Sequence, residues 1–138
     1  MIRVEIPGRI VAKQSVRFTK TGHRYQPGEI VNYHARCSHF GTQAMAGMAP
    51  IVGACRMSAQ IVLATPKSWS KKRKARHNWC IAYPDLDNAL KALLDGLKGV
   101  VFGDDKQVVE VLVHKNYGIA DKVIVTVEPL EEHETIGA

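Results

Sequence analysis

Three observations predict a single α/β (α+β) domain, a mixed β-sheet with two main helices packed on it in the order β-α-β-α-β-β. The chain has 138 residues, enough for one core and too few for a second. Four segments alternate aliphatic with polar residues, the period of a half-buried strand, and two others have helical character. Apolar residues make up 46% and charged residues 23%, the balance of a folded domain rather than a disordered or collagenous chain.

Ile2, Val4 and Ile6 alternate with Arg3 and Glu5 before Pro7 and Gly8, which reads as a strand and a turn. Arg9 to Glu29 reads as an extended or looped arm. Asn32 to Met48, rich in Ala, Gln and Met, reads as a helix that Gly41 weakens and Gly47 to Pro50 ends. Cys55, Met57, Ala59, Ile61 and Leu63 mark a second strand, and a short helix is expected from Ser70 to His77. Leu86, Leu90, Leu93, Leu94 and Leu97 fall on one helical stripe, so Asn88 to Lys98 is expected to be an amphipathic helix with Asp87 as its cap and Gly99 as its stop. Val109, Val111 and Val113 then alternate, as do Val123, Val125 and Val127, and the pair is expected to form a hairpin across Asn116 to Asp121. The acidic tail from about Pro129 onward is expected to fray.

Several classes are excluded. The longest nearly apolar stretch, Ala44 to Cys55, is too short to cross a bilayer and is broken by Gly47, Pro50 and Gly53. The opening MIRVEIPG has no apolar export segment, so a cytoplasmic protein is expected. Cys37, Cys55 and Cys80 form an odd set without a C-x-x-C pair, and reduced, buried thiols are expected.

The net charge of +6 hides a division. Met1 to Pro84 holds 14 basic residues and two acids, whereas Asp85 to Ala138 holds 11 acids and five lysines. So dense a positive region repels itself unless it binds a polyanion, which makes nucleic acid the leading partner. A membrane surface fits less well, because the cations do not lie on one amphipathic helix with a broad apolar face. One basic cluster, Lys13, Arg17, Lys20 and Arg24, is interleaved with Phe18 and Tyr25. The other, Lys71, Lys72, Arg73, Lys74 and Arg76, lies between Trp69 and Trp79. Cations grip phosphates while aromatic faces stack on unpaired bases, so both clusters are candidate DNA contacts. A solvated loop and a solvated helix face are the structural alternatives.

The acidic segment carries the chemistry. If the extended conformation that Pro84 favours persists through Leu86, Asp85 and Asp87 point to the same side with Leu86 facing the core. Lys91 follows Asp87 by one helical turn. Asp104 and Asp105 return near the helix start if the following strand runs beside Asp85. Converging carboxylates need a hard cation between them, and an oxygen-only set favours Mg2+ or Mn2+. Such an ion suits phosphodiester hydrolysis, with Lys91 adding a fixed positive charge. Each residue also has a structural alternative: Asp87 as a cap alone, Lys91 paired with Asp87 or Asp95, and Gly-Asp-Asp as turn chemistry.

The strings PDLDN, Lys91, LLDGL and DDKQV, at these spacings, closely resemble the RusA family of Holliday junction resolvases. The opening IPGRIVAKQSVRFTKTGHRYQP resembles the arm of its phage and prophage members, so the likeness covers most of Arg3 to Val127. The resemblance implies one RusA-like endonuclease domain over residues 1–138, cutting four-way DNA junctions by paired symmetric nicks in recombination and repair. It implies Asp85, Asp87 and Asp105 as Mg2+ ligands, with Mn2+ able to substitute, Asp104 as a less certain neighbour, and Lys91 as the essential lysine. A homodimer is implied, with no membrane and no small-molecule cofactor, in a bacterial or phage-infected cell. The family often has a basic residue where Tyr83 stands, so one phosphate contact is open. Two other readings remain: a non-catalytic basic DNA-binding protein, and a metal-dependent nuclease for other branched or single-stranded DNA.

Overall fold

The computed structural model describes residues 1–12, 17–25 and 28–131. A four-stranded sheet is built from β1 (Ile2–Pro7), β4 (Cys55–Ala64), β5 (Val108–Gly118) and β6 (Lys122–Pro129), in the order β1-β6-β4-β5. β2 (Arg17–Phe18) and β3 (Arg24–Tyr25) form a small separate hairpin. The helices are α1 (Gly28–Met45), the single turn α2 (Lys71–Lys74) and α3 (Leu86–Leu97). The expected α+β class and element order hold, with the arm contributing the extra hairpin. Lys13 and residues 132–138 of the tail expected to fray from about Pro129 lie outside the described residues; at the start of that tail Pro129 ends β6 and Leu130 N donates to Ala54 O at 2.9 Å.

The alternation in β4 works as expected, burying Cys55, Met57, Ala59, Ile61 and Leu63. Together with Val4 and Ile6 of β1 and Val123, Val125 and Val127 of β6, they supply the strand side of one core. Ile30, Tyr33 and Cys37 of α1 and Ala89, Ala92, Leu93 and Leu97 of α3 supply the helix side. All three thiols are free and buried, as expected.

The expected hairpin between the last two strands does not form. β4 lies between them, pairing in parallel with β5 and antiparallel with β6. The segment carrying α3 is long enough for a parallel crossover, which places β5 beside β4 before β6 is made. The short link at 119–121 then passes over the end of β4, about 10 Å across two strand spacings. It is tied down there. Thr65 N donates to Gly118 O at 3.1 Å, Ala64 N to Asp121 Oδ1 at 2.8 Å, and Gly8 N to Asp121 O at 3.1 Å.

The α3 details also differ from expectation. The helix begins two residues early, so Asp85 occupies the cap position, without a side-chain capping bond, and Asp87 lies inside the first turn. Leu86 is 42% exposed rather than in the core. The buried stripe is rotated toward small residues, Ala89, Ala92 and Gly96, because α3 packs closely on α1. A Cβ on Gly96 would lie 2.6 Å from Cys37 Cβ, and one on Gly41 would lie 3.1 Å from Leu97 Cδ2. The glycine read as a weakness of α1 is thus a point of close approach. Gly96→Ala is expected to lower stability by about 1–3 kcal/mol despite alanine's better helix propensity, because neither helix backbone can yield without opening the core. A lower urea midpoint with an unchanged slope checks it.

Candidate active site and nucleic-acid interface

Two groups of acidic residues flank α3. Asp85 and Asp87 stand at its N-terminal end and are exposed, as is Lys91 one turn further on. No ion pair joins Asp87 to Lys91, and neither Asp85 nor Asp87 is paired to a described cation. The capping and Asp87–Lys91 pairing alternatives therefore find no support.

The peptide leading into Asp85 is held from below. Lys115, on β5, donates from Nζ to Ala82 O at 2.7 Å and to Pro84 O at 2.6 Å. One ammonium thus fixes the backbone that presents Asp85, a positioning role that sequence reading missed because Lys115 looks like any strand lysine. Tyr83, 62% exposed, walls a cleft of about 270 Å³ together with Arg9, Arg36 and Glu29. Arg9 and Arg36 add positive charge beside Tyr83.

Asp104 and Asp105 lie elsewhere. α3 and β5 run in opposite directions, so the turn before β5 sits at the C-terminal end of α3, where Lys98 Nζ is 3.9 Å from Asp104 Oδ2. The 12 residues of α3 span about 18 Å, so one chain does not return Asp105 to Asp85 and Asp87 as the sequence reading expects. The carboxylate of Asp104 caps a 3-10 turn at Asp105–Gln107 by accepting from Lys106 N at 3.0 Å. That bond, then the contact with Asp105 and the charge of Lys98, holds its pKa below the ordinary aspartate range. Gln107 completes the capping box, accepting from Asp104 N and donating to Ile51 O and Gly53 O at 2.8 and 2.9 Å. The glutamine of DDKQV is thus structural: it locks the turn to the chain entering β4.

All the candidate ligands are carboxylates, the oxygen donors Mg2+ prefers. Among the described residues, however, no group of three or more His, Cys, Asp or Glu side chains could hold a metal ion. The set does not fit an ion within one chain.

The basic segment lies at the Asp85 end. β5 meets Asn78–Cys80 only near its C-terminus: Trp79 bridges Asn116, Tyr117 N donates to Asn78 O at 2.8 Å and Cys80 N to Lys115 O at 3.2 Å. α2 carries Lys71, Lys72, Arg73 and Lys74, all exposed, with Arg76 exposed just beyond. Ser70 caps it by accepting from Arg73 N at 3.1 Å. The Arg73 guanidinium lies 3.7 Å from the centre of the Trp69 ring, and Tyr117 packs edge-on against Trp69. Lys20 is exposed in the turn of the β2–β3 hairpin, and Arg17 and Arg24 fall on its two strands.

An α+β domain with an exposed D-x-D pair, a lysine one turn later and a cationic segment beside them has the make-up of a DNA-cutting enzyme. The model of one family, endodeoxyribonuclease RusA, matches residues 7–128, most of the chain. The chain belongs to the RusA endodeoxyribonuclease family, whose members act on branched DNA junctions. No curated protein matches the sequence. Among the described residues no helix is long and apolar enough to cross a membrane.

Proposed function

We propose that the protein is a Mg2+-dependent, homodimeric Holliday junction resolvase that cuts four-way DNA by paired symmetric nicks, in recombination and repair. Asp85 and Asp87, exposed and without an ion-pair partner among the described residues, at the end of α3 where the cationic segment also lies, carry this reading. Carboxylates left this free beside so many cations serve the backbone of a bound nucleic acid better than they serve the fold.

A second copy supplies what one chain lacks. β5 is an edge strand, and along Val108–His114 no described strand pairs with its outer side. Val109 and Leu112 there are 63% and 66% exposed, and Val111 is 38% exposed, an apolar edge that a soluble monomer avoids. Antiparallel pairing of this edge with its own copy about a two-fold axis near Val111 satisfies both edges. It carries the partner's Asp105 toward the far end of β5, where Lys115 holds Pro84. Asp85 and Asp87 of one copy and the partner's Asp105 would then hold the ion. Asp104, used as a cap, stands behind it. When bound, Mg2+ supplies positive charge to the cleaved phosphate; Mn2+ is expected to substitute. Lys91 contributes a fixed cation to the same phosphate, and Lys71, Lys72, Arg73, Lys74, Arg76 and the β2–β3 hairpin track the flanking backbone.

The test is a four-way junction labelled in turn on each strand. With Mg2+, symmetric nicks in two opposing strands are expected, and a linear duplex of the same sequence is left intact. Tight binding without cleavage in either Mg2+ or Mn2+ would instead favour the non-catalytic reading. Cutting of flaps or single strands in preference to the junction would favour the broader nuclease.

A further inference from the structure

The structure separates the two tryptophans that the sequence treats alike. Trp69 is covered, with Arg73 over its ring and Tyr117 against it. Trp79 is 64% exposed, touched by the rings of His77 and His114 at 4.7 and 6.0 Å, both nearly perpendicular. Further along the same segment Ile81 is 99% and Tyr83 62% exposed, while Cys80, between Trp79 and Ile81, is buried. An apolar run this open, ending two residues before Asp85, costs solubility unless something covers it.

We infer that Trp79, with Tyr83 beyond it, is a stacking platform for bases unpaired at the branch point of the bound DNA. The inference rests on the DNA-cutting reading and goes beyond it by naming the residue that receives the opened strand. A neighbouring cleft supplies the phosphate half of the same subsite. It measures about 280 Å³ and is lined by Ser70, Lys72, Arg73, Arg76 and Asn78. Asn78 joins the two halves rigidly: its Nδ2 donates to Arg73 O and Arg76 O, both at 2.9 Å, and its carbonyl accepts from Tyr117 N. Cations on one side of a fixed, open indole are the arrangement that grips a single strand, phosphate and base together.

Charge favours a nucleotide strand as the occupant. The five cations from Lys71 to Arg76 have no acidic partner among the described residues, so a polyanionic strand is attracted to them. The apolar part of β5 assigned to the dimer lies toward the other end of that strand, beside Glu110 rather than these cations.

The experiment compares Trp79→Ala, Trp79→Phe and the unaltered protein for binding to a four-way junction, a poly-dT strand and a blunt linear duplex without divalent metal. Trp79→Ala is expected to weaken junction and poly-dT binding about 5- to 100-fold and leave duplex binding within about twofold, with Trp79→Phe largely restoring it. In Trp69→Phe protein, where Trp79 is the sole indole, either unpaired substrate is expected to quench the emission and the duplex is not. Equal weakening on all three DNAs, no quenching, or conversion of the Trp79→Ala protein to a monomer in sedimentation would each overturn the platform alone. Failure of the unaltered protein to bind the junction would overturn the DNA reading itself.

Discussion

Asp87→Asn is expected to abolish junction cleavage, by at least about a hundredfold, while leaving junction binding unchanged and lowering the unfolding midpoint only slightly. The substitution keeps the shape of the side chain and removes its charge. Asp87 forms no ion pair with a described residue, and the N-cap position is held by Asp85, so the fold has little to lose. At this exposed first-turn position the amide loses only the interaction of the charge with the helix dipole, about 0.3–1 kcal/mol. The measurement is single-turnover nicking in Mg2+ with a parallel binding titration. A variant that still nicks at more than a tenth of the normal rate would remove Asp87 from the site and leave the D-x-D string as surface chemistry.

The strands and helices were legible because burial imposes a period on local sequence. β4 buries every second residue from Cys55 to Leu63, and β1 and β6 do the same, so alternation alone found them. Their order in the sheet was not legible. Val109–Val113 and Val123–Val127 are adjacent in sequence and both alternate, yet β4 enters between them, since pairing depends on which edge is free when the chain returns. The same limit governs the site. Asp85, Asp87 and Lys91 are placed by one helix, a local feature, and sequence spacing located them. Where Asp105 sits relative to them depends on the direction of β5 against α3, a tertiary fact that no spacing encodes. Lys115 and Gln107 were missed for a related reason: each acts through backbone carbonyls that only the folded chain brings within reach. Trp69 and Trp79 were both read beside the basic cluster, and only the fold tells the exposed ring from the half-buried one.

Mixing two inactive proteins should restore activity. Asp87→Asn and Asp105→Asn are each expected to be inert as homodimers, because every site then lacks one carboxylate. After co-refolding, half of a statistical mixture is heterodimer. If sites are shared across the two-fold axis, one site of each heterodimer carries both substitutions and the other carries neither. The intact site has Asp85 and Asp87 from the Asp105→Asn chain and Asp105 from the Asp87→Asn chain. Nicking returns at about a quarter of the normal site concentration, and cuts fall on one strand per junction rather than as pairs. If each site belonged to a single chain, both sites of the heterodimer would stay defective and mixing would restore nothing. The predicted edge gives an independent control. Leu112→Asp adds a charge to each of two pairing β5 strands, at a position 66% exposed in the free chain and hence harmless to the monomer fold. Introduced into both proteins, it is expected to yield folded monomers and abolish the rescue. Rescue that survives in monomers would rule out a site built across β5.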